Sequence, residues 1–152
     1  MRYNWKHLNK QQIGAFSEYF VKMEFTMYGF QVYSTEVDDR GIDFVTRYEN
    51  NNFLTVQVKS IRESGYVFMQ KEKFHLASDL YLVLVILNEQ HAPNIYVVPS
   101  KEWENPNSLL VDRDYEGKQS KPEYGLNLSK KNLPLLEKYE FSKMILTLQN
   151  ER

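Results

Sequence analysis

The residues able to do chemistry sit on two neighbouring segments. Asp43 follows Gly41-Ile42, and Gln57 and Lys59 flank Val58. Phosphodiester cleavage needs the phosphate charge neutralised, a water activated and a leaving oxygen stabilised. A hard cation such as Mg²⁺, or Mn²⁺ in its place, is held by one or two carboxylates plus amide or backbone oxygens. Asp43, the Gln57 amide oxygen and the Val58 carbonyl offer that half-shell. Lys59 adds a cation beside the attacking water or the phosphate, which favours the anionic forms that develop there. Glu18, further upstream, could complete the shell or hold a water beside the metal.

These residues need a frame. Ile42 to Tyr48 and Phe53 to Ser60 read as two strands joined through Asn50-Asn51-Asn52, whose asparagines tolerate the left-handed backbone of a turn. Residues two apart on a strand share a face, so Gln57 and Lys59 point together, away from Val56 and Val58. Ile42 and Phe44 are expected opposite Asp43. An odd-numbered loop, or a bulge, is needed to bring Asp43 onto the Gln57 and Lys59 face.

Upstream, Asn9 is placed to cap a helix from about Lys10 to Tyr28, with Gly29 as its left-handed stop. Ile13, Phe16, Phe20, Met23 and Met27 form one apolar stripe, and Gly14, Val21 and Phe25 a second that carries Glu18. Phe30 to Ser34 is a short strand. Downstream, about Lys71 to Ser78 is expected to be a short helix. The continuous apolar run Leu80 to Leu87 marks a central strand covered on both faces. Ile95 to Val98 is a further strand, and the segment from Asn105 to Ser129 is turn-rich. Ser129 is expected to cap a helix near Lys130 to Tyr139, and an amphipathic stretch covers Ser142 to Gln149. This order predicts one α/β domain over 1–152, its core about 9–100, with a mixed central sheet flanked by helices and a C-terminal helical extension.

Composition narrows the alternatives. Across 152 residues, 19 Lys and Arg face 20 Asp and Glu, a net charge of -1, so nucleic-acid binding must come from a local basic face. With no cysteine there is neither disulfide, thiol nucleophile nor Cys-based zinc site, and His7, His75 and His91 are scattered. The longest apolar run is too short for a membrane span and the first ten residues lack a signal peptide's apolar stretch, so a cytoplasmic location is expected. No glycine-rich phosphate loop is present, so no nucleotide cofactor is expected.

In order, Gly14-x-x-x-Glu18, Gly29-Phe30-x-Val32, Gly41-Ile42-Asp43-Phe44-Val45 and Val56-Gln57-Val58-Lys59-Ser60 resemble the restriction-endonuclease-like nucleases and their PD-(D/E)xK motif. The likeness is greatest to archaeal Holliday junction resolvases and to a cyanobacterial group I intron homing endonuclease. It covers about the first half of the chain and implies an αβββαβ core. It also implies that Glu18, Asp43 and Lys59 take the helix-glutamate, first-acid and lysine roles. Gln57 stands where the motif has its second acid, a neutral substitute that binds Mg²⁺ less strongly. Ile42 stands where the motif has proline.

The resulting expectation is a Mg²⁺-dependent DNA endonuclease of restriction, homing or junction-resolving type. Arg40 and Arg62, with Arg47, Lys71 and Lys73, would form a phosphate-binding rim. Trp103 and Tyr124 are read as buried rather than as base-stacking residues. Cutting two strands calls for a homodimer or higher symmetric oligomer, with Leu133, Leu135, Leu136, Phe141, Met144, Ile145 and Leu148 as its candidate interface. The competing reading is an inactive nuclease-like domain that binds nucleic acid or a protein partner.

Overall fold

A computed structural model describes residues 2–36 and 41–150. The first helix, α1 (Lys10–Met27), begins where expected: the Asn9 side chain accepts the Gln12 N–H while the Gln12 side chain accepts that of Asn9. This reciprocal bonding satisfies two donors that helix geometry would leave without partners. Gly29, at φ +88°, ends the helix in a conformation costly for any side chain. The buried face runs through Ile13, Ser17, Val21 and Phe25, with Phe16 and Phe20 packed beside it. Met23 and Met27 do not belong to it; both are exposed. Ser17 hides the true stripe from a reading based on apolar residues, because a small hydroxyl can sit where the backbones approach.

Five strands make the main sheet: β1 (Phe30–Ser34), β2 (Phe44–Tyr48), β3 (Leu54–Arg62), β5 (Leu80–Leu87) and β6 (Asn94–Pro99), in the order β1-β2-β3-β5-β6. Only β3 and β5 run parallel, so the sheet is mixed. Every residue of β5 is buried, as its unbroken apolar run requires. On one face Val56, Val83 and Val85 pack with α1 and the C-terminal α2 (Phe141–Asn150), around Phe25, whose ring meets those of Phe30, Phe44 and Phe141 edge-on.

The other face departs from expectation. The crossover from β3 to β5 contains no α-helix. Gly65–Gln70 forms strand β4, Lys71–Lys73 a single 3₁₀ turn, and Phe74 to Ala77 is not helical. β4 pairs with β8 (Glu123–Leu128), which pairs with β7 (Leu110–Arg113), in a second, three-stranded sheet. Val67, Met69, Leu126 and Leu128 from this sheet cover Leu82, Leu84 and Ile86. The turn-rich segment thus holds two strands, and the C-terminal extension is part sheet. Lys130–Tyr139 is 3₁₀ rather than α, and the Ser129 side chain does not cap it. Pro134 inside this segment lacks an N–H and crowds the preceding turn, which opposes an α-helix. Leu136, Phe141, Ile145 and Leu148 are buried within the chain, so they cover the sheet rather than wait for a partner. Trp103 is buried, its indole N–H donating to the Gly125 carbonyl. Among the described residues no helix is long and apolar enough to cross a membrane.

Candidate active site

The site forms where β2 leaves β3. Phe44 pairs with Val56, yet the Asp43 N–H also donates to the Val56 carbonyl at 2.9 Å. Two residues thus oppose one, which is a bulge, and bulges re-aim side chains. The pairing of Phe44 with Val56 also means an odd-numbered loop, and the bulge shifts that register by one, so Ile42 comes to the Thr55 face while Asp43 turns to the β3 backbone. Ile42 is displaced by the same bulge. It does not join Phe44 in the α1-side core but lines a cavity with Thr55, Lys73 and Leu80.

Past the bulge β3 loses its β2 neighbour, and the Val58 N–H would be left without a strand partner. Asp43 Oδ2 accepts it at 2.6 Å. Thr55 donates its backbone N–H toward β5, to the Asp79 carbonyl, so alternate residues Val56 and Val58 turn their backbone groups to the β2 side. The Val58 carbonyl therefore faces the fork that holds Asp43. A carboxylate has about four acceptor sites, of which the Val58 N–H takes one.

Gln57 and Lys59 occupy the opposite face of β3 from Val56 and Val58. Both line a cavity of about 390 Å³ with Tyr66, Phe68, Gln70 and Lys73. Gln57 is buried, and its Oε1 has no hydrogen-bond partner among the described residues. An unpaired buried amide oxygen costs about 1–3 kcal/mol, so its retention needs a reason. A cation would satisfy it, and the donor set suits one: carboxylate, amide oxygen and backbone carbonyl are hard oxygen ligands of the kind Mg²⁺ takes. Gly41 shapes the entrance. At φ +75°, a Cβ there would come within 3.0 Å of the Lys73 carbonyl and 3.5 Å of the Gln57 amide.

The remaining candidates separate. Glu18 is held by Lys22 one turn along α1, at 3.0 Å, and Lys22 in turn donates to Ser34. Arg62 lies 3.8 Å from Glu89. Lys71 is bound to Asp112 and, at 2.7 Å, to Asp114. Burial alone would lower the Lys71 pKa, but these two hydrogen bonds outweigh it and hold the ammonium above its ordinary value. Each of these two cations thus faces a carboxylate. Arg40 lies outside the described residues. Arg47 sits on the outer face of β2, and Lys73 reaches the site cavity, each without a carboxylate partner among the described residues. Among the described residues no group of three His, Cys, Asp or Glu side chains is set to hold a metal.

Tyr66 is a site residue the sequence did not announce. Its hydroxyl donates to the buried Glu123, and its ring crosses Gly125 so closely that any side chain there would collide. The pattern Tyr66-x-Phe68-x-Gln70 opposite Glu123-x-Gly125 was its only signal, and it needed the β4–β8 pairing to be read.

No protein-family model matches this sequence, and no curated protein matches it. Solved structures do match. The Holliday junction resolvase Hjc of Archaeoglobus fulgidus superposes with a TM-score of 0.55 at 12% identity, covering 87% of this chain and 94% of its own. The bacterial homing endonuclease I-Ssp6803I gives 0.57 at 18% identity, covering 93% and 92%. The chain shares the fold of these two structures, a restriction-endonuclease-like α/β fold.

Proposed function

We propose that this protein is a metal-dependent endonuclease that hydrolyses DNA phosphodiester bonds at the β2–β3 fork. The observation that carries this reading is the orphaned, buried Gln57 Oε1 beside a fork where Asp43 grips the Val58 backbone. Asp43, Gln57 and the Val58 carbonyl would hold Mg²⁺ or Mn²⁺, with Glu18 as a further ligand once freed from Lys22. The cation would supply Lewis-acid neutralisation of the phosphoryl charge. The protein's own part is positional. Asp43, fixed by the Val58 N–H, holds one side of the phosphate site. Lys59, without an ion-pair partner among the described residues, presents its ammonium to the attacking water and the phosphate. Lys73 steadies a neighbouring phosphate, and two copies acting together would cut both strands.

A second reading, a nuclease-like domain that binds nucleic acid or a protein partner without cutting, draws support from the neutral Gln57 and from Lys22 occupying Glu18. The two are separated by incubating supercoiled plasmid and a four-way DNA junction with the protein in Mg²⁺ or Mn²⁺. Cleavage that Asp43→Ala reduces by at least about 100-fold supports the endonuclease. Absence of cutting, together with metal binding unchanged by Asp43→Ala, supports the binding module.

A further inference from the structure

The outer face of the β1–β2 edge carries a ledge of aromatic rings and one guanidinium, assembled from three elements. Gln31 and Tyr33 come from β1, Arg47 from β2 and Phe53 from the turn before β3. Gln31 Oε1 accepts from the Tyr33 hydroxyl at 3.1 Å and from Arg47 Nε at 3.3 Å. The Arg47 guanidinium lies over the Phe53 ring, 4.5 Å from its centre, and Phe53 meets Tyr33 at 5.9 Å. The four side chains lock one another, yet Tyr33 and Phe53 remain 46% and 45% exposed. The second sheet covers the β5 and β6 part of this face and leaves the ledge open.

The ledge and the candidate site share one sheet face. Tyr33 lies across from Val45, Val45 lies across from Thr55, and Gln57 is two residues further along β3. Two strand spacings and two residues of rise separate Tyr33 from Gln57 by roughly 12 Å. That is the length of about three to four stacked nucleotides. Arg47, Lys59 and Lys73 put three cations on or beside this face with no carboxylate partner among the described residues. Yet Lys71 and Arg62 are tied to acids and the whole chain is slightly anionic, so phosphate contacts are few for a protein that grips a long duplex. Bases inside a duplex hide their flat faces. Pre-ordered exposed rings with a flanking guanidinium suit bases that have left the stack.

We propose that the Tyr33-Phe53-Arg47 ledge binds unpaired DNA bases about three to four nucleotides from the cleaved phosphate. The substrate is thereby a duplex with an adjoining unpaired segment. This inference rests on the nuclease reading for its location, but its test measures binding without divalent metal and does not depend on cutting.

Fluorescence anisotropy would compare a labelled duplex, the same duplex with a single-stranded flap, the single strand alone, and a single-stranded RNA of the same sequence. The full chain should prefer the flap DNA to the duplex. Tyr33→Ala and Phe53→Ala should each weaken flap binding by about 5- to 100-fold and leave duplex binding within about twofold, while Phe53→Trp retains it. Unchanged melting temperatures would show that these exposed positions are not needed for folding. If the wild-type chain binds the flap through these rings yet cuts none of the DNAs when Mg²⁺ or Mn²⁺ is added, the nuclease reading falls and this one stands. Equal losses on duplex and flap, no loss on either, or tighter binding to the RNA would overturn the inference.

Discussion

β3 shows two faces of one strand put to opposite uses. Val56 and Val58 turn toward α1 and join a core in which Phe25 and Phe44 are fully buried. Gln57 and Lys59, their immediate neighbours, turn to a cavity lined by the β4 edge and Lys73. The first face supplies rigidity and the second holds a Gln57 oxygen without a hydrogen-bond partner among the described residues. Each depends on the other: a buried, unsatisfied Gln57 oxygen is tolerated because the valines beside it fix the strand.

The contrast can be broken from either side. The largest effect is expected from Phe25→Ala, which removes the ring at the centre of three edge-on contacts. It should destabilise the protein by about 3–5 kcal/mol in urea unfolding. Lys59→Ala should do the reverse, lowering metal-dependent cleavage by about 10²–10³-fold while the unfolding midpoint stays put. A midpoint that falls with Lys59→Ala would mean that the polar face is structural after all. Gln57→Glu sharpens the comparison, because it adds a charge where only a neutral oxygen now sits. Mg²⁺ affinity, followed by calorimetry, should tighten by about tenfold.

A smaller effect belongs to alkaline pH. Burial first, and then the hydrogen bond to Glu123, raise the Tyr66 phenol above its ordinary value; burial and Glu102 do the same for Tyr139. The folded state therefore holds these protons more tightly than the unfolded chain, whose phenols titrate near 10. The stabilisation is complete below about pH 10 and is lost as the pH rises above it. Unfolding free energies measured from pH 9 to pH 11.5 should fall, and Tyr139→Phe should flatten that slope.

Much of the site-bearing half was legible because its signals are local. Asn9 with Gln12 is a cap by chemistry, Gly29 stops a helix by its freedom at positive φ, and Leu80 to Leu87 has one reading. Asp43, Gln57 and Lys59 stood out because period-two alternation makes a polar face on an otherwise apolar strand. What escaped depends on partners distant in sequence. β4 alternates Tyr66, Phe68 and Gln70 with Val67 and Met69, but it is short and its partner is β8, near the other end of the chain. Gly125 looked like a turn residue, whereas it is a strand glycine beneath the Tyr66 ring. The surroundings of Lys71 escaped for a related reason: Asp112 and Asp114, far away in sequence, pair with it.

The route from β3 to β5 also governs how the chain can reach this state. A parallel pair cannot close through a tight turn, and here the link passes through a strand of a different sheet whose own partner, β8, is made much later. During synthesis β5 emerges as eight consecutive apolar residues before the sheet that covers it exists. Such a segment is prone to pair with the wrong chain. Asp79 immediately before it and Glu89 shortly after it place a negative charge at each end, where charged residues act as gatekeepers against that association.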